Sequence, residues 1–178
     1  MGRMKRKGWE RFLEELLSGR IEAVLLVGPI GAGKTRTAIG MVSWLRERDV
    51  EVGGVVSPRV MRGRETVGYR VRDLVSGEER PLCSLHPPGI RFRRFYFSPE
   101  GIEFARRAIL RALFAEVVVV DEIGPLELSG EGFAPAVLAL RERGAPLILT
   151  VRPGLVDEVA DWASLRRFGV FEIGDGDP

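Results

Sequence analysis

Eight residues constrain this chain more than any others: Gly28-Pro29-Ile30-Gly31-Ala32-Gly33-Lys34-Thr35. They fit the pattern Gly-x-x-x-x-Gly-Lys-[Ser/Thr], in which each residue type has a physical task. The glycines let backbone N–H groups converge on phosphate oxygens with no Cβ in the way. The helix that follows offers its positive end to the same anion. Lys34 would reach the β- and γ-phosphates, and the Thr35 hydroxyl would bind Mg²⁺. The flanks agree. Ile21–Val27 is a nearly continuous apolar run that ends in the Gly-rich turn, as a buried parallel strand does. Ala38, Met41, Val42 and Leu45 share one face of a helix predicted over Lys34–Arg48. The expected nucleotide-binding set is therefore Gly28, Pro29, Ile30, Gly31, Ala32, Gly33, Lys34, Thr35 and Arg36, with the Arg36 side chain turned toward solvent or an acid.

A second feature completes the first. Val117-Val118-Val119-Val120-Asp121-Glu122 is a strand of small apolar residues that ends in two acids. In an open α/β sheet, ligands bind beyond the carboxyl ends of the strands. Asp121 there would hold Mg²⁺, through water, because that ion keeps much of its hydration shell. Glu122 would polarise a water for attack on a γ-phosphate. The predicted metal set is Thr35 and Asp121. The predicted catalytic set is Lys34, Glu122 and an arginine. Candidates for the arginine are Arg59, Arg62, Arg64 and Arg152, and Arg152 is favoured because it follows a predicted strand, Pro146–Val151, at its carboxyl end.

The rest of the chain alternates in the same style. Val50–Val56 reads as a strand, Ser98-Pro99-Glu100 as the capped start of a helix to about Ala115, Glu131–Arg143 as a helix, Leu155–Trp162 as a short helix and Gly169–Ile173 as a last strand. That alternation argues for a mostly parallel sheet with helices on both faces. The stretch 57–97 breaks the rhythm. Thr66–Asp73 and Glu78–Ser84 form a hairpin around Val75-Ser76-Gly77, and Ile90–Phe97 is one more short strand. It reads as an antiparallel, Arg-rich insertion within a single domain over 1–178, with an N-terminal helix in 1–20 whose Trp9, Phe12, Leu13, Leu16 and Leu17 recur at helical spacing.

Composition excludes several classes. The chain of 178 residues is 45% hydrophobic and 29% charged, ordinary for a globular protein. No run approaches the about 18 apolar residues of a membrane helix, and the acids after the basic start Met1–Lys7 break up any signal-peptide core. The single Cys83 suits a reducing cytoplasm, and one cysteine with one histidine, His86, does not make a structural zinc site. His86, beside Pro87-Pro88, reads as a loop residue. Cys83 has no second histidine or organising acid to make it a nucleophile. The net charge is only +2, but residues 57–94 carry nine arginines against four acids, whereas 116–178 carry five against twelve. The basic middle suits phosphates or an acidic partner, and equally an ordinary solvated surface.

At Asp121-Glu122-Ile123-Gly124-Pro125-Leu126-Glu127-Leu128 the sequence resembles the small P-loop nucleoside-triphosphatases of the thermophile type, relatives of the human cancer-related nucleoside-triphosphatase. Gly68-Tyr69, Phe95-Tyr96-Phe97-Ser98, Gly132-Phe133 and Leu149-Thr150-Val151-Arg152 extend the resemblance over about residues 21–160. It departs in two places, as in a divergent bacterial-type member. Ser57-Pro58-Arg59-Val60-Met61-Arg62 stands where better-known members carry Thr-x-Glu-x-Arg, and Arg93 or Arg94 stands where a glycine precedes the aromatic strand. The resemblance implies a P-loop NTPase three-layer sandwich and slow, Mg²⁺-dependent hydrolysis of ATP, GTP and other triphosphates. The absence of an Asn/Thr-Lys-x-Asp motif points to loose base recognition. Two other readings stay open. One is a nucleotide or small-molecule kinase, with 57–97 supplying an acceptor pocket and lid. The other is a nucleotide-binding adapter that meets a partner or, less favoured, nucleic acid through its arginines. The expected state is a cytoplasmic monomer or weak homo-oligomer.

Overall fold

The computed structural model describes residues 8–174, so the basic start Met1–Lys7 and residues 175–178 lie outside the described residues. In chain order the elements are α1 (Glu10–Leu17), β1 (Ala23–Val27), α2 (Lys34–Arg46), β2 (Val52–Val56), β3 (Arg59–Arg62), β4 (Glu65–Asp73), β5 (Glu79–Ser84), β6 (Ile90–Phe92) and β7 (Phe95–Phe97). There follow α3 (Pro99–Arg111) with a closing 3₁₀ turn, β8 (Val117–Ile123), α4 (Pro125–Leu128), α5 (Ala134–Glu142), β9 (Leu147–Val151), α6 (Val156–Trp162) and β10 (Phe168–Glu172).

The strands join one sheet in the order β10-β1-β9-β8-β2-β4-β5-β7-β6, with β3 on β4. From β10 to β2 every pairing is parallel. From β4 outward every pairing is antiparallel. The predicted α/β architecture is thus present, and the stretch that breaks the rhythm extends the same sheet.

Period-2 alternation sorts the core. Val24, Leu26, Val117, Val119 and Ile148 face one side, where they pack with Met41, Val42 and Leu45 of α2 and Trp9, Leu13 and Leu16 beside α1. Ala23, Leu25, Val27, Val118, Val120, Leu147 and Leu149 face the other, under Ala105 and Ile109 of α3, Val137 and Leu140 of α5 and Val159 of α6. Each fully buried aliphatic side chain contributes about 1.5–3 kcal/mol, so strands buried on both faces anchor the domain. The predicted helix start holds: Ser98 Oγ accepts the Gly101 N–H at 3.1 Å, and Pro99 occupies the first turn.

Three expectations need correction, and two elements were not foreseen. Ile90–Phe97 is not one strand but a tight hairpin, with Phe92 opposite Phe95; Arg93 makes the turn at φ 54°, and an arginine there carries no turn signal. Arg59–Arg62 forms an exposed edge strand, whose pairing rests on backbone rather than on a hydrophobic pattern. The helix expected from Glu131 begins at Ala134, because Gly130 and Gly132 both hold positive φ before it. Pro125–Leu128, unassigned from sequence, closes a single helical turn. Leu17 lies off the packed face of α1, 41% exposed, while Leu13 and Leu16 are buried.

One glycine decides whether β2 can pair closely with β8. Gly54 in β2 sits opposite Val119 with φ 103°, and a Cβ there would lie 2.0 Å from the Val119 carbonyl oxygen. Backbone of a central strand cannot move aside. Gly54→Ala is therefore expected to destabilise the fold by roughly 3 kcal/mol or more. A urea unfolding midpoint unchanged from wild type would contradict this account of the β2–β8 contact.

Candidate active site

The phosphate loop leaves β1 at Gly28 and enters α2 at Lys34. Gly31 and Gly33 hold φ of 85° and 92°, values open to glycine at little cost, and Gly33 caps the helix. These two left-handed residues let the chain turn from β1 into α2 within a few residues. Lys34 is buried, at 5% exposure. Its ammonium donates to Gly28 O at 2.7 Å and Pro29 O at 3.0 Å, which leaves the third of its protons for an anion in the loop. Burial pushes its pKa down, the charges of Glu122 and Asp121 oppose that shift, and Arg152 and Arg59 add to it.

Asp121 is fully buried at the end of β8. Its Oδ2 accepts from Thr35 Oγ1 at 2.7 Å and from the Ser57 N–H at 2.9 Å. Its Oδ1 accepts from Thr150 Oγ1. One carboxylate thus ties the first turn of α2, the end of β2 and the end of β9 together. Val120 faces Leu149 and Ile123 faces Val151, so Asp121 and Glu122 share the single residue Thr150 across β8–β9. This is a β-bulge, and bulges re-aim side chains beside active sites. The Thr150 hydroxyl spans it, accepting from the Glu122 N–H at 2.7 Å while donating to Asp121. Glu122 adopts a left-handed backbone, φ 67°, an outlier of the kind that clusters at functional sites. Burial raises its pKa, and the neighbouring Asp121 charge adds to the effect, against Lys34, Arg152 and Arg59.

Lys34, Thr35, Asp121, Glu122 and Arg152 therefore converge at the carboxyl end of the sheet. Arg152 is half-buried directly after β9. Arg59 comes closer to the phosphate loop than the sequence suggests: its guanidinium lies 3.4 Å from the position a Gly31 Cβ would take. Arg36 is exposed and folds back over Gly33. Arg62 and Arg64 stand exposed at the β3–β4 turn. His86 is an exposed loop residue, and burial pushes the Cys83 thiol up to about 12.

Three residues of the site are not among those expected from the sequence. Thr150 is a polar residue near the end of an otherwise apolar, fully buried strand, and that contrast is the signal that could have found it. Ser57 is fully buried, and its hydroxyl has no hydrogen-bond partner among the described residues. Glu127 is 5% exposed and ties α4 to the start of α5, accepting Gly124 N–H at 3.1 Å and Phe133 N–H at 3.3 Å. Burial pushes its pKa up to about 7; the two N–H groups act against this, and the Glu122 charge acts with it. Beside Glu122 opens a cavity of about 400 Å³, walled mainly by apolar and aromatic side chains.

Comparison with known proteins places this arrangement among similar ones. Residues 23–173 match the NTPase family model. The nucleoside-triphosphatase THEP1 of Thermofilum pendens is 38% identical over 154 residues, 85% of this chain and 81% of that protein. THEP1 of Thermococcus kodakarensis is 34% identical, covering 75% and 78% of the two chains. A human cancer-related nucleoside triphosphatase superposes with a TM-score of 0.66 at 27% identity, over 86% of this chain and 89% of the other. THEP1 from Aquifex aeolicus, at 20% identity and a TM-score of 0.70 over 86% and 90%, shares the fold.

Two outcomes test the site's construction. Thr150→Val keeps the shape but removes both hydrogen bonds across the bulge, and should cost about 1–3 kcal/mol, whereas Thr150→Ser should stay near wild type. Equal urea midpoints for the valine and serine variants would contradict this role. Glu127 binds its proton more tightly in the folded chain (about 7) than at the ordinary value of 4.5. Folding is therefore favoured below the lower value, and stability is lost as pH rises toward and through the higher. The thermal midpoint should fall between pH 5 and pH 8 more steeply in wild type than in Glu127→Gln. Parallel curves would remove Glu127 as the source.

Proposed function

This chain belongs to the NTPase family and is a nucleoside-triphosphatase, and we propose that it hydrolyses ATP, GTP and other nucleoside 5′-triphosphates to diphosphate and phosphate, with Mg²⁺ and with loose base selection. The observation that carries this reading is the hydrogen bond of 2.7 Å between Thr35 and Asp121, which joins the phosphate loop to the strand that also bears Glu122.

The residues suit a magnesium ion. Thr35 and Asp121 bring two hard oxygens, one anionic, to one point beneath the loop. Mg²⁺ is held in such sites by one or two protein oxygens, with phosphates and water completing its shell. Among the described residues no cluster of three His, Cys, Asp or Glu side chains offers a competing all-protein cage. When bound, the ion neutralises charge on the β- and γ-phosphate oxygens.

The chain's own groups account for the rest. The loop amides and the remaining proton of Lys34 take the phosphate oxygens, acting as a preorganised cradle for charge that develops during cleavage. Glu122 accepts a hydrogen bond from the attacking water and orients it in line with the leaving diphosphate. Its carboxylate lies within electrostatic reach of the Lys34 ammonium. Arg152, already half-buried among these charges, stabilises the transferring phosphoryl group. No Asn/Thr-Lys-x-Asp sequence is present to select guanine, because Lys34 is the one lysine beyond the first seven residues and belongs to the loop.

Phosphate release from ATP, GTP, CTP and UTP with Mg²⁺ tests the proposal. All four should be consumed within about tenfold of one another, and chelation should stop release. Lys34→Ala should lower kcat about 10²–10³-fold and Glu122→Gln about 10²–10⁴-fold, with nucleotide still bound by the glutamine variant. Release that survives Glu122→Gln would take the water-orienting role away from this residue.

A further inference from the structure

The cavity beside Glu122 is larger and more apolar than a water-attack site requires. A volume of about 400 Å³ holds a drug-sized molecule, not a single water. Tyr69, Phe92, Phe95 and Phe97 supply flat aromatic walls, and Leu82 and Ile102 add aliphatic surface. The edge-to-face contacts Tyr69–Phe95 and Phe92–Phe97, with ring centroids 5.7 and 6.5 Å apart, hold these walls in place. At the hairpin turn Arg93 and Arg94 also line the cavity, with their guanidinium groups over Phe92 at 5.8 Å and Phe95 at 4.7 Å. Guanidinium planes and aromatic rings both favour stacking against a further ring.

The lining also has polar members. Glu122, Arg152 and Ser57 are among the lining residues, and Ser57 brings the one buried side-chain polar atom without a partner among the described residues. An orphaned hydroxyl at such a place calls for a ligand atom to pair with it. A carboxylate beside it repels an anionic group but accepts the proton of an alcohol. Arg93 adds a second sign of use. It holds φ 54° at a turn that a glycine would fill without strain, so its side chain is retained at a backbone cost.

We propose that this cavity binds a second substrate, a planar-ring alcohol of nucleoside size, and that the enzyme transfers the γ-phosphoryl group to its hydroxyl. The ring lies between the aromatic walls and the Arg93–Arg94 turn, and the hydroxyl meets Ser57 and Glu122. The alcohol oxygen bonds to the γ-phosphorus as the bond from that phosphorus to the β–γ bridging oxygen breaks. The electron pair leaves with the nucleoside diphosphate, and the hydroxyl proton passes to Glu122 and then to water. Nucleoside triphosphate and alcohol thus become diphosphate, phosphate ester and a proton. This rests on the placement of the γ-phosphate before Glu122 given above; hydrolysis is the same reaction with water in the cavity.

The test uses γ-³²P-ATP with the whole chain and a panel of adenosine, guanosine, cytidine, uridine and pyridoxine, following labelled ester and free phosphate together. The expected result is a labelled ester from at least one alcohol, with free phosphate falling as ester rises. Phe92→Ala and Arg93→Gly lie away from the phosphate loop, and the second relaxes the turn. Both should hydrolyse ATP as wild type does and lose ester formation at least tenfold. Hydrolysis with no ester from any of the five overturns the second-substrate site and leaves the hydrolase reading intact. Ester without hydrolysis supports the site and overturns that reading, and neither product overturns both. Ester formation unaffected in both variants would also overturn the proposed site.

Discussion

The buried carboxylate of Asp121 is the joint on which the active end of this molecule depends. It has no exposed surface, yet it receives hydrogen bonds from the Thr35 hydroxyl, the Ser57 amide and the Thr150 hydroxyl. Removing any one of these donors from a buried carboxylate leaves acceptor capacity unmatched, which costs more than the loss of the same bond on the surface. Three segments far apart in the chain are held in register by this one side chain. The phosphate loop is therefore fixed not only by its own glycines but by its attachment to β8.

From that joint the chemistry follows by geometry. The bulge at Asp121 and Glu122 lets two consecutive residues of a strand, which would otherwise point to opposite faces, serve the same site. Thr150 closes the bulge from the neighbouring strand. Glu122 is thereby set within electrostatic reach of Lys34, Arg152 and Arg59 and lines the aromatic cavity. The antiparallel extension supplies that cavity's far wall, so the parallel sheet provides the phosphate machinery and the extension shapes what lies next to it. The arginines of the extension divide in the same way. Arg70 and Arg72 share the carboxylate of Glu79, and Arg111 of α3 reaches Asp73. Arg93 and Arg94 find no carboxylate partner among the described residues and stack on phenylalanines instead.

Elements built from local patterns are legible in the order of residues alone. The β1 run, the α2 face, the Ser98-Pro99 cap and the four valines of β8 each concentrate their signal in a few adjacent residues. The β6–β7 hairpin is not legible, because its turn is made by Arg93 rather than by glycine or asparagine. Nor is β3, whose side chains are all exposed and whose pairing is carried by backbone. In the site, Lys34, Thr35, Asp121 and Glu122 are legible from residue type and spacing. Thr150 and Ser57 do not stand out in the same way, since a lone threonine or serine at a strand end has many structural uses.

The sequence by itself determined that this chain has a phosphate-binding loop between a buried strand and a helix, and an acidic strand end to set beside it. Both are contiguous motifs whose chemistry is written in neighbouring residues. The tertiary structure alone decided which partners complete them: that Thr150 spans the bulge, that Arg59 lies over Gly31, that Glu127 is buried, and that five aromatic residues enclose a cavity against Glu122. The Thr150 and Arg59 contacts join residues nearly thirty positions apart, and they exist only because sheet pairing brings the ends of β2, β8 and β9 beside the phosphate loop.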